Sequence, residues 1–379
     1  MVMRFAAASA KAAIAGAVAV LVLVVAPPPA LADKIRDAQW HLDYLKIAQA
    51  HAITKGAGVT VAVIDSGVDA EHPDLRGAVL PGANVMILKE GSPVGWTDTD
   101  GHGTAMAGVI AARGKGNTGA LGIAPESKIL PIRISINREV HGVGLEEALA
   151  FATAHGAKVI SMSFVSPELD PIEAEALEAA RAADIVLVAG VGNLPRDKTV
   201  RYPAAHPSVI GVGAVDRNGD HADLSVTGDK VELSAPGIGI MSPAIAAKDP
   251  SRYRAGSGTS QATAVVAGAA ALVRAKYPQL TADQVVKRLT STAIDTGPKG
   301  RDSSYGYGVV NVVGALTAPL EAESTPAAAP AAPRAASDRS STGDGISAGV
   351  LAALGGGALL LIGGLVALVV LIRKRRSAA

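Results

Sequence analysis

The central part of the chain predicts a doubly wound α/β domain, a mostly parallel sheet with helices on both faces. Three observations carry that reading. Runs of β-branched and apolar residues such as Val59–Ile64 and Ile185–Ala189 are continuous rather than alternating, the pattern of strands buried on both faces. These runs alternate with helical stretches in the order strand, helix, strand. Polar residues with chemical potential stand where the strands give out, at the end of an open α/β sheet that forms the functional crevice.

Taken in order, the residues Ile35 to Tyr44 form a modest amphipathic stretch, and Gly56-Ala57-Gly58 breaks the chain before the first strand, Val59–Ile64. Asp98-Thr99-Asp100-Gly101-His102-Gly103-Thr104 then leads into an apolar helix that His102 opens. Asp98 and Asp100 read as turn and cap residues, because the alternating ligands and closing glutamate of an EF-hand loop are absent. Ile129–Ile134 is a strand, Gly144–His155 a helix, Val159–Ser163 a strand, and Pro171–Ala183 a helix opened by proline. The strand Ile185–Ala189 runs into Gly190-Val191-Gly192-Asn193, and Val209–Val215 and Val231–Ala235 follow as strands. An Ala/Val-rich helix starts at Ser260 and continues to about Lys276, and Thr281–Thr292 reads as a capped surface helix.

Both ends read as something other than the domain. Residues 1–32 have a charged start, an apolar stretch from Ala12 to Val25 and the small-residue pattern Ala30-Leu31-Ala32, which predicts a secretory signal peptide cleaved after Ala32. Residues 317–345 are rich in Pro, Ala and Ser and read as an extended tether. Residues 346–372 hold no charge and are long enough to form a single transmembrane helix, and 373–379 open with Arg373-Lys374-Arg375-Arg376. The positive-inside rule places that basic tail in the cytoplasm and the domain, residues 33–316, outside the cell.

A net charge of +1 without a basic stripe in the domain gives no sign of nucleic-acid binding. The absence of cysteine excludes disulfides, cysteine nucleophiles and thiolate metal sites. Nothing in the sequence calls for a cofactor, and no set of metal ligands stands out.

Four positions share a strand end or a helix start: Asp65, His102, Asn193 and Ser260. Alone, Asp65 and Asn193 read as turn residues and Ser260 as a helix N-cap. Together they supply a nucleophile, a base, a carboxylate to orient the base, and an amide donor for an oxyanion. Gly101 and Gly103 remove bulk around His102, a setting the other seven histidines lack. The order Asp, His, Ser differs from His-Asp-Ser of chymotrypsins and Ser-Asp-His of α/β-hydrolases, and Ala262 breaks the G-x-S-x-G elbow of the latter.

The segments Ala62-Val63-Ile64-Asp65-Ser66-Gly67, His72-Pro73-Asp74-Leu75, Gly101-His102-Gly103-Thr104, Ala189-Gly190-Val191-Gly192-Asn193 and Gly258-Thr259-Ser260 resemble the signature segments of subtilisin-like serine proteases. With Ile35 to Leu42, the signal peptide, the tether and the C-terminal anchor, the chain is most similar to mycosins, membrane-anchored subtilases associated with type VII secretion. The resemblance implies a subtilisin-like fold, a triad of Asp65, His102 and Ser260, and Asn193 as oxyanion donor. It also implies a substrate strand laid beside Ser161-Met162-Ser163 and Val188-Ala189-Gly190, with Ser161, Ser163, Ala189 and Gly190 in contact with it. Val165 stands at the rim of the primary specificity pocket, where the family more often has glycine, and narrows it. Ala264 replaces a common proline, and the short stretch between Ala32 and Val59 has no room for a long folding propeptide. The function implied is a membrane-anchored extracellular serine endopeptidase acting on exported polypeptides, with type VII secretion components as partners. A structural partner of a secretion complex, its catalysis secondary or absent, is the second reading.

Overall fold

The structure, a computed structural model, describes residues 31–85, 96–114, 118–134 and 144–319. The chain divides into two units, Met1–Pro319 and Leu320–Ala379. The second lies outside the described residues, as do the transmembrane helix, the basic tail and nearly all of the tether and signal peptide expected from the sequence. Among the described residues no helix is long and apolar enough to cross a membrane.

The first unit is built on a seven-stranded sheet: β1 (Thr60–Asp65), β2 (Ala83–Asn84), β3 (Lys128–Arg133), β4 (Val159–Met162), β5 (Val186–Gly190), β6 (Ile210–Val215) and β7 (Leu233–Pro236). Its order is β2-β3-β1-β4-β5-β6-β7, and every pairing is parallel. Apart from the two-residue edge strand β2, which the sequence reading did not contain, these strands start and stop within a few residues of that reading. From β1 the chain winds outward through β3 on one side and through β4 on the other. The order therefore reverses beside β1, which puts a crevice at the carboxyl ends of β1 and β4.

Alternation along β1 divides the core. Val61 and Val63 join one cluster, with residues of α4 (His102–Ala111), α7 (Thr259–Lys276) and α8 (Ala282–Ser291). Ala62 and Ile64 join a second, with α5 (Leu145–Ala154) and α6 (Pro171–Ala182) on the opposite face. α6 opens on a capping box from Asp170 and Glu173 with proline in its first turn, and α8 on one from Thr281 and Gln284.

Three further features exceed the sequence reading. The antiparallel pair β8 (Ile240–Pro243) and β9 (Tyr253–Gly256) stands apart from the main sheet. A short α9 (Val312–Thr317) ends the domain. At the other end, α1 (Leu31–Asp37), α2 (Trp40–Tyr44) and α3 (Ile47–Ile53) are stitched onto the body. Gln39 between α1 and α2 donates Nε2 to the carbonyls of Leu121 (3.0 Å) and Met241 (3.2 Å) and accepts the Leu121 N–H at 2.8 Å. Trp40 Nε1 donates to the Ile238 carbonyl at 3.0 Å.

His41 in α2 is fully buried, and neither ring nitrogen has a hydrogen-bond partner among the described residues. Burial alone pushes its pKa down to about 3. His51, His72, His206 and His221 are also lowered, each mainly by burial. A histidine depressed in the fold binds a proton more readily in the unfolded chain, so stability is intact above the ordinary value and falls as pH drops toward the folded one. We expect His41 to contribute a loss approaching ~1.4 kcal/mol per pH unit between its ordinary value of about 6.5 and its folded value. Denaturant midpoints measured from pH 7 to pH 4 check this. His41→Leu should flatten the slope, and an unchanged slope would contradict the assignment.

Candidate active site

Asp65 is the last residue of β1, and His102 is the first of α4. The helix start comes close because residue 103 is glycine: a Cβ there would lie 2.1 Å from the Gly67 carbonyl oxygen and 3.1 Å from the Asp65 Cβ. That approach sets His102 Nδ1 at 2.8 Å and 2.9 Å from the two carboxylate oxygens of Asp65. Both side chains are about 5–6% exposed, so the pair is shielded from water. One carboxylate oxygen of Asp65 also accepts the Ser66 N–H at 2.7 Å.

A second carboxylate builds this corner. Asp98 accepts N–H groups of Asp100 (3.0 Å), Gly101 (2.8 Å) and Thr104 (3.0 Å), and hydroxyls of Thr104 (2.6 Å) and Ser66 (3.0 Å). The Ser66 hydroxyl in turn accepts the Gly103 N–H at 2.9 Å. The turn that follows β1 and the first turn of α4 are thus tied through one residue, and α4 has an acidic cap in place of a side chain on Gly101. Burial raises the Asp98 carboxyl, and the Thr104 hydroxyl and the Gly101 and Thr104 N–H groups counter that rise.

Ser260 is the second residue of α7, and the N-cap is Gly258, so the serine is free of capping. Its hydroxyl donates to the Ser163 carbonyl at 3.4 Å, while the Ser163 hydroxyl donates to the Ser260 carbonyl at 3.3 Å. Both contacts are long for O–H donors, and a rotation about χ1 releases the Ser260 hydroxyl at little cost. α7 packs directly against α4, which carries His102.

Asn193 follows β5. Its side-chain oxygen accepts the Thr259 N–H at 2.9 Å, and this fixes which way the amide faces. Its Nδ2 has no hydrogen-bond partner among the described residues, and Asn193 and Ser260 line one cleft of about 250 Å³. Ser163, Val165 and Gly190 line it as well. Ser161 and Ala189 do not. Ser161 pairs in register with Val63 and Val188, and Ala189 with Met162 and Gly211, so both backbone edges of each are taken up inside the sheet.

The arrangement holds a buried carboxylate on an imidazole, a hydroxyl at a helix start and an oriented amide donor at one end of a parallel sheet. Among the described residues no group of three or more acidic or histidine side chains is placed to hold a metal ion.

Residues 56–308 match the subtilase family, Peptidase_S8. The chain is a subtilase. Over 264 residues this subtilase is 40% identical to subtilisin DY of Bacillus licheniformis, a match covering 68% of this chain and 90% of that protein. Its fold resembles that of MycP1 with the N-terminal propeptide removed, at 30% identity and a TM-score of 0.64, over 74% of this chain and 98% of that one. It also resembles the MycP3 protease from the type VII (ESX-3) secretion system, at 32% identity and a TM-score of 0.62, over 74% and 88%. Membership with these relatives makes the subtilase a serine endopeptidase of subtilisin-like α/β fold whose structural neighbours are mycosins.

Two parts of the subtilase site lie beyond the sequence reading. Asp98 was legible only as a turn residue, because its partners Ser66 and Thr104 are adjacent only after folding. Arg196 and Asp197 follow Asn193 in a short loop, where the Pro195-Arg196-Asp197 turn was the sole signal. Asp98→Ala leaves several donors unmatched and should lower stability by about 2 kcal/mol. It should also reduce kcat more than it raises KM, through loss of His102 alignment. Thermal unfolding with steady-state peptide kinetics checks both, and wild-type values for the variant would refute the assigned role.

Proposed function

We propose that this subtilase is a membrane-anchored endopeptidase that cleaves exported polypeptides outside the cell, using Asp65, His102 and Ser260 as triad and Asn193 as oxyanion donor. The observation that carries the reading is the His102 Nδ1 contact to both oxygens of buried Asp65. With Nδ1–H committed to the carboxylate, the lone pair of neutral imidazole lies on Nε2, available as a base.

Each step follows from a group already described. In this reading the Ser260 hydroxyl leaves the Ser163 carbonyl and offers its proton to Nε2 of His102. As the oxygen attacks the scissile carbonyl, the proton passes to His102, and Asp65 stabilises the resulting imidazolium. The carbonyl oxygen becomes an oxyanion, met by Asn193 Nδ2 and the backbone N–H of Ser260 at the open start of α7. Collapse breaks the C–N bond, His102 returns its proton to the leaving amine, and the acyl chain stays on Ser260. Water then repeats the sequence, with His102 taking its proton, and releases the new carboxylate.

The membrane setting rests on sequence: residues 1–32 as a signal peptide, 317–345 as a tether, 346–372 as the span and 373–379 as a cytoplasmic tail. The type VII secretion context rests on likeness to MycP3, a protease of such a system.

A fluorophosphonate probe added to the folded protein should label Ser260 and leave Ser260→Ala unlabelled. Absence of label on folded protein would remove the activated serine. Asn193→Ala should lower kcat by roughly 10²- to 10³-fold, the size found on removing the corresponding donor in subtilisin. A smaller effect would assign the oxyanion to other donors. Truncation before residue 346 should move the protein from the membrane fraction to the medium, and continued sedimentation with membranes would overturn the anchor.

A further inference from the structure

The carbonyl under attack must lie between Ser260 Oγ and Asn193 Nδ2, so the side chain of the same substrate residue enters the cleft those two share. Phe164, Val165 and Leu194 give that cleft apolar walls, and Arg196 is the one charged residue among the described residues that line it. Arg196 is pinned by Asp197, whose Oδ2 receives Nε at 3.2 Å and Nη2 at 3.0 Å. Nη1 has no hydrogen-bond partner among the described residues, and the side chain is 54% exposed.

Asp197 does not cancel this charge. Its carboxylate is 3% exposed and is shared with Arg201 Nε at 3.6 Å and with the Asn193 N–H at 2.8 Å. Two guanidiniums therefore stand against one carboxylate, and the excess positive charge faces the cleft at Arg196. Because Asp197 holds the guanidinium in place, a substrate anion meets a cation already positioned, with little ordering left to do. A cleft of about 250 Å³ accommodates a glutamate whose methylenes touch the apolar walls.

Building on the peptidase reading, we infer that this enzyme prefers an acidic residue, glutamate or aspartate, on the acyl side of the bond it cleaves, with Arg196 as the specificity-determining residue. A lysine at that position is repelled, and a neutral side chain gains only the apolar contact.

Four fluorogenic peptides differing only in that residue, as Glu, Gln, Leu or Lys, test the inference. At low salt kcat/KM for Glu should exceed that for Gln by roughly three- to tenfold, the range for a half-exposed charge-assisted contact. The ratio should shrink in about 0.5 M NaCl, where such charges are screened. Arg196→Ala should bring the ratio to near one, Arg196→Lys should retain most of it, and Arg196→Glu should reverse the order in favour of Lys. Melting temperatures of the variants exclude a folding artefact. Equal turnover of Glu and Gln by the native enzyme, or an unchanged ratio in Arg196→Ala, would overturn the assignment while leaving the peptidase intact. Absence of turnover for all four peptides would instead overturn the peptidase reading itself.

Discussion

Helix α7 lies inside the domain, with every residue from Gly258 to Arg274 buried except Ser260. A helix enclosed this completely must be narrow. Its sequence is accordingly Ala, Gly, Thr and Val for most of its length, which lets the sheet above and α4 beside it close in. The enclosure also removes freedom from its N-terminus, so the one residue that meets solvent there does so in a fixed place. β1, β4 and β5 end over that point, and the carboxylate, the hydroxyl-holding loop and the amide arrive from three different strands.

Electrostatic order is imposed from beside the site as well as within it. Asp98 gathers the turn after β1 and the first turn of α4 onto one carboxylate, at the expense of partial burial of its own charge. Asp197 performs the same service for the loop after β5, accepting the Asn193 N–H while neutralising part of two guanidiniums. Neither residue touches the place where chemistry would occur. Both restrict how far the residues that do can drift, and a displacement of an ångström there is costly.

The strands were legible because a parallel sheet covered on both faces leaves continuous β-branched runs in the sequence. Asp65, His102, Asn193 and Ser260 were legible because strand ends and helix starts can be placed to within a residue or two. The antiparallel pair β8–β9 was not, since its strands are short and β9 is largely exposed, so no burial pattern marks it. The stitching of α1 to α3 was hidden for another reason. Gln39 recognises the backbone of Leu121, and main-chain groups leave no trace in residue identity. Ser161 and Ala189 show the limit of reading a segment as a unit, because neighbours in one strand differ in whether any backbone edge remains open.

The loop around Asn193 also bears on how long the protein survives chemically. Asparagine side chains age by deamidation, in which the backbone nitrogen of the following residue attacks the amide carbon. Here that nitrogen belongs to Leu194, a bulky residue, and its N–H is held by the Leu224 carbonyl at 2.8 Å. The side-chain oxygen is held by Thr259 as well. An aspartate formed at this position would offer two acceptors where the proposed oxyanion role calls for a donor, without any unfolding to betray the loss. The bonds that aim Asn193 also slow the one spontaneous reaction that would erase it.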